Sequence, residues 1–107
     1  MKCPIRVYIQ ESDIIIEFAT NVAILVNKEV TLSANIKTEK QPFTEARVRF
    51  EIWHENEEKH EFIETTEMSS GKYNLTKKFG TPGIYHVKVH YENDDIHGQQ
   101  EESIEVK

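Results

Sequence analysis

The stretch GIYHVKVHYENDDIHGQQ, residues 83–100, alternates apolar and polar side chains along its first nine positions. Tyr85, Val87, Val89 and Tyr91 fall on one face, and His86, Lys88 and His90 on the other. A period of two marks a half-buried strand. Turn formers follow, and Asn93-Asp94 tolerates the positive φ of a two-residue hairpin loop. In that register Glu92 faces Asp95, Tyr91 faces Ile96 and His90 faces His97. Tyr91 and Ile96 are apolar and point to a core. Parity then sends His90, His97, Glu92 and Asp95 to solvent.

The same alternation runs through the chain. EVTLSANIKT (29–38) aligns Val30, Leu32, Ala34 and Ile36, and ARVRFEIW (46–53) aligns Val48, Phe50 and Ile52. GKYNLTKKF (71–79) offers Tyr73 and Leu75, and ESIEV (102–106) aligns Ile104 and Val106. IRVYI (5–9) and DIIIEFA (13–19) read as two further strands. Turn signals separate them: VNKE, EKQP, ENEEK, SSGK and GTPG. No helical period, internal repeat or linker interrupts the pattern. The expected fold is all-β, an immunoglobulin-like antiparallel β-sandwich of seven or eight strands. One domain spans 1–107, with 1–12 flexible or lipoprotein-proximal.

Composition narrows the function classes. At 107 residues the chain makes one domain with a modest core. The net charge of -6 argues against nucleic acid, which needs clustered Lys and Arg. The single cysteine, Cys3, excludes an internal disulfide. It stands near the start, where a bacterial lipoprotein carries its lipidated cysteine. Only Met1 and Lys2 precede it, so either a natural leader is missing or Cys3 is incidental. No apolar run is long enough to span a bilayer, so any membrane contact is expected through a lipid anchor.

Two surface features carry the functional expectations. Directly opposed residues of a hairpin have Cβ atoms ~4.5–5.5 Å apart, so His90 and His97 can reach one ion. Glu92 or Asp95 would add an oxygen, and imidazole with carboxylate suits copper or zinc. The plainer reading is a pair of solvated histidines, and two facing imidazoles would repel once both protonate. Gln100 and Glu102 turn inward in this register unless a bulge near Gly98 intervenes. The second feature is Trp53, which parity puts outside beside the strand of His86 and His90. A tryptophan beside a histidine face marks a contact site for a protein partner. His54 and His60 flank the ENEEK turn and read as loop residues. The NLT triplet at Asn74 lies within a strand and reads as chance. No nucleophile motif, phosphate loop or H-E-x-x-H is present, so no enzyme is expected.

The ordered set VRFEIW, GKY, F…PGIYHVKVH and a final IH, with NKEVTLSANI upstream, resembles the YtkA-like/FixH-like domain of bacterial envelope proteins. The resemblance implies an immunoglobulin-like sandwich outside the cytoplasm, often on a lipoprotein, with Cys3 as an anchor remnant. It also implies a histidine on the penultimate strand and another after the next turn, matching His90 and His97. Family members commonly place a methionine beside the second histidine. Gly98, Gln99 and Gln100 stand there instead, so the thioether that favours Cu(I) is missing. The working expectation is a monomeric, extracytoplasmic binding module with weak divalent-metal binding. The alternative is a protein-interaction module with no metal.

Overall fold

The computed structural model describes residues 14–20, 23–39, 41–93 and 96–107. Cys3, Asp95 and the expected strand at 5–9 lie outside them. Eight strands form: β1 (Ile15–Thr20), β2 (Glu29–Lys37), β3 (Arg47–His54), β4 (Glu61–Glu64), β5 (Thr66–Ser69), β6 (Lys72–Lys78), β7 (Gly83–Glu92) and β8 (His97–Val106). They build two antiparallel sheets, ordered β1-β2-β6-β5 and β4-β3-β7-β8. No described residue is helical, so no helix is long and apolar enough to cross a membrane.

Alternation decides what the sheets bury between them. Val48, Phe50 and Ile52 on β3 meet Val87, Val89 and Tyr91 on β7, and all six are buried. The other sheet contributes Val30, Leu32, Ala34 and Ile36 from β2 with Tyr73 and Leu75 from β6. Each large apolar side chain removed from water stabilises the fold by roughly 1.5–3 kcal/mol. Phe18 of β1 joins the two layers, its ring 5.9 Å from that of Phe50.

Buried polar groups tie the connections down. The Tyr73 hydroxyl donates to Phe43 O at 2.7 Å and accepts from the Ala46 N–H at 3.2 Å. It thereby pins the link between β2 and β3 to β6, and burial pushes its pKa up. Thr65 marks the point where the chain leaves one sheet for the other. Its N–H and hydroxyl both donate to Val48 O.

β4 and β5 were not legible in the sequence. Each has four residues, and only Ile63 of β4 contributes a partly buried apolar side chain to the core. The segment reads as loop because two short strands in different sheets share one polar run. β8 is longer than ESIEV suggested, running from His97 to Val106 without a bulge.

Gly71 turns β5 into β6 at φ +78°. A Cβ there would lie 2.7 Å from Ile36 O and 2.8 Å from Pro42 Cβ. Gly80 has no neighbour within 4 Å of a built Cβ. Gly71→Ala is therefore expected to destabilise the domain by about 1–3 kcal/mol. Gly80→Ala should stay within about 0.5 kcal/mol of wild type. Urea denaturation of the two variants checks this, and equal midpoints would contradict it.

Candidate functional site: the outer face of the β4-β3-β7-β8 sheet

With Phe50 and Val89 inward, the pleat turns the alternate residues of four strands outward, and the registers arrange them in rungs. Trp53 lies opposite His86, and His86 opposite Ser103. Phe62, Glu51, Lys88 and Glu101 form the next rung. Glu64, Arg49, His90 and Gln99 form the third, and Arg47, Glu92 and His97 the fourth.

The rungs correct the expected histidine pairing. β7 ends at Glu92 and β8 begins at His97, so four residues connect them rather than two. The Asn93 N–H donates to Ile96 O at 2.9 Å, and Asn93 Oδ1 accepts from the Ile96 N–H at 3.0 Å. Tyr91 and Ile96 are both buried, as expected. The register slips by two positions, which keeps the parity and changes the partners. His90 faces Gln99, and His97 faces Glu92. The two histidines share a face as diagonal neighbours, a relation that puts residues ~7–8 Å apart with their Cβ atoms somewhat closer. His90, His97 and Glu92 line one open concavity together with Arg47 and Arg49. His90 Nε2 is engaged by Glu51 Oε1 at 2.8 Å, and Glu92 lies 3.7 Å from Arg47 Nη1. Two guanidinium groups at the rim oppose a dication. Among the described residues, no group of three or more His, Cys, Asp or Glu side chains is arranged to hold a metal ion.

No bulge intervenes near Gly98. Register continues unbroken from Gly83 with Val106 to Glu92 with His97. Gln100 and Glu102 do face inward, at the rim where β8 meets β1. Gln100 Nε2 donates to Glu102 Oε2 at 2.7 Å and to Ile16 O at 3.4 Å, so the polar pair is internally satisfied.

Trp53 stands on the first rung, towards one end of the face. Its indole lies between two imidazoles, His60 at 4.2 Å and 6° and His86 at 5.3 Å and 23°. Lys88 Nζ stands 5.8 Å from the indole centroid. His60 had read as a loop residue. It continues the β4 register by one rung, which sets it beside Trp53, and no local signal in ENEEKH announces that. His54, its expected companion in the loop, has a separate role. Its Nδ1 accepts from the Asn56 N–H at 3.1 Å and its Nε2 lies 3.2 Å from Pro82 O. A carbonyl only accepts, so the proton sits on Nε2. A Cβ at Gly83 would come within 2.5 Å of that nitrogen, so Gly83 makes room for the ring.

Glu51 connects the face. One carboxylate oxygen holds His60 Nδ1 and the other holds His90 Nε2. An ionised carboxylate accepts only, so both imidazoles present an N–H to it. Burial pushes the Glu51 carboxyl up, but the two hydrogen bonds and the imidazole charges outweigh it. The group sits below its ordinary value of 4.5. His86 is flanked by acids: Nδ1 lies 3.1 Å from Glu101 Oε2, and Nε2 lies 3.7 Å from Glu55 Oε1. The Nδ1 contact lacks hydrogen-bond geometry, so this buried nitrogen has a charge neighbour without a bond. Phe62 is 56% exposed, beneath Arg49 at 5.8 Å, and supplies a second aromatic.

The depressed Glu51 pKa has a defined sign in stability. The folded carboxyl binds its proton less tightly than the unfolded one, so its contribution is full above the unfolded value near 4.5. It is lost as pH falls through the lower folded value. Glu51→Gln is expected to cost roughly 1–3 kcal/mol at neutral pH. The gap should close below pH 4.5, in the range where wild type is protonated as well. Thermal or urea unfolding of both proteins across acid pH checks this; a gap that widens on acidification would contradict the sign.

A family model described as YtkA-like matches residues 10–90. Searches of curated proteins and of solved structures each returned no match. The matched region holds Trp53, Glu51, His60, His86 and His90, and ends before His97. It spans well over half of the 107 residues, and the chain belongs to the YtkA-like family.

Proposed function

We propose that this domain is a non-enzymatic, extracytoplasmic binding module that docks another protein on the outer face of the β4-β3-β7-β8 sheet. One observation carries the reading: Trp53 is held on that face between two imidazoles and beside Lys88. Trp and Arg are the side chains most enriched at the energetic centres of protein interfaces, and here Trp53 and Arg49 share a strand with Phe62 alongside. The surface is a flat sheet with open concavities. Small-molecule sites are deep and mostly apolar, which favours a protein occupant. The resemblance to envelope domains supports a place outside the cytoplasm.

The face is also internally compensated. Arg47 pairs with Glu64 at 2.9 Å, and Glu51 accepts hydrogen bonds from His60 and His90. A partner meets paired charges with the aromatic groups between them, rather than a field of one sign. Such charges set orientation more than affinity.

The test is capture of a partner, its purification and a binding titration against the chain. Trp53→Ala is expected to weaken the dissociation constant by at least about thirtyfold, the effect of a hot-spot residue. Met68→Ala, at a 63%-exposed position on the other sheet, should leave it unchanged. Equal affinities for wild type and Trp53→Ala would sink the reading. So would a Zn(II) or Cu(II) titration whose saturable NMR shifts are confined to Tyr91–His97, which would restore the metal expectation.

A further inference from the structure

We propose that the Trp53 stack is a proton-operated clamp: protonation of His60 and His86 tightens their grip on the indole and withdraws it from the contact face as pH falls. This rests on the docking reading above and adds its regulation.

The geometry supplies each part. β4 and β7 lie on opposite sides of β3, so His60 and His86 flank the indole, with ring planes 6° and 23° from it. Neutral imidazoles in these positions make π contacts only. Imidazolium over indole adds a cation–π attraction, for which tryptophan is the best partner. Both rings also have a carboxylate in place. His60 Nδ1 is bound to Glu51 on β3. His86 has Glu101 on β8 at 3.1 Å and Glu55, after β3, at 3.7 Å.

The opposing charges come from three elements: Lys59 and Lys77 line a concavity with Trp53 and His60, together with Glu57 and Glu61, and Lys77 pairs with Glu61 at 2.6 Å. Lys88 stands 5.8 Å from the indole centroid, and its cross-strand neighbour is Glu101. His90 shares Glu51 with His60. The two imidazoliums would sit on opposite faces of the indole, separated by about one Debye length at physiological salt, so their mutual repulsion is weak. Glu51, Glu55 and Glu101 therefore stand against the imidazoles of His60 and His86. Imidazole side chains in general change charge between about pH 5 and 8, and the test brackets that window.

Trp53 is the only tryptophan in the chain, so its fluorescence reads the clamp directly. Acrylamide quenching of wild type at about pH 5.5 and about pH 8 brackets the histidine window. The quenching constant is expected to be roughly two- to fivefold larger at the higher pH, the ratio that a cation–π contact implies. The difference should vanish in the His60→Gln/His86→Gln double variant, with circular dichroism reporting its fold. Equal quenching at both pH values overturns the clamp, and this comparison needs no variant. A pH difference that survives in the folded double variant overturns it as well. The docking reading is separately readable. Flat quenching with partner binding still lost on Trp53→Ala removes the clamp alone. Quenching that responds to pH with partner binding indifferent to Trp53→Ala removes the docking reading and leaves the stack itself pH-responsive.

Discussion

The pairing of β3 with β7 governs the rest of the molecule. Eight consecutive residue pairs, Arg47 with Glu92 through His54 with Tyr85, hold these central strands in one register. Phe50, Val87 and Val89 are fully buried on its inner side. A slip of one residue would drive those side chains into water and pull Glu51, Lys88 and His90 into the core. That alternative is prohibitive, because buried charges must be paired and each exposed aliphatic loses its transfer free energy. The outer face is therefore set by what the inner face must bury.

On that outer face, one carboxylate organises the histidines. Glu51 lies opposite both Phe62 and Lys88 in register, yet its oxygens bond diagonally to His60 and His90. Sheet twist brings diagonal neighbours together, and the same skew carries Lys88 over Trp53 and His86 to Glu101. The acids and bases of the surface thus form a connected grid instead of isolated pairs. Single exposed ion pairs contribute little, whereas a half-buried carboxylate with two imidazole donors is a stronger constraint. The indole at the edge of this grid gains its position from side chains on both neighbouring strands.

The sheet edges explain the less regular features. β8 is an edge strand of ten residues, a length that invites pairing with another chain. It carries Glu101, Glu102 and Glu105, and its inward Gln100 and Glu102 satisfy each other at the rim beside β1. Such placement of acids and inward polar groups discourages edge-to-edge association. At the other side, β4 and β5 are each only four residues and belong to different sheets, with Thr65 bonded to Val48 O at the crossing.

The sequence by itself determined the sandwich, its long strands and the sidedness of every residue on β2, β3, β6 and β7. Period-two burial is a local property, legible wherever a strand has two or more apolar residues on one face. It placed Trp53 outside, beside His86. Tertiary structure alone decided which outward residues meet. The β7-β8 register depends on the length of the closing loop, and a shift of two residues preserves every parity signal while exchanging every partner. His90 thereby passed from His97 to Glu51, a residue on another strand and far away in sequence. β4 escaped notice for a related reason. Its four residues bury too little to show a period, and they gain their place from backbone bonds to β3, with His60 carried along to the indole.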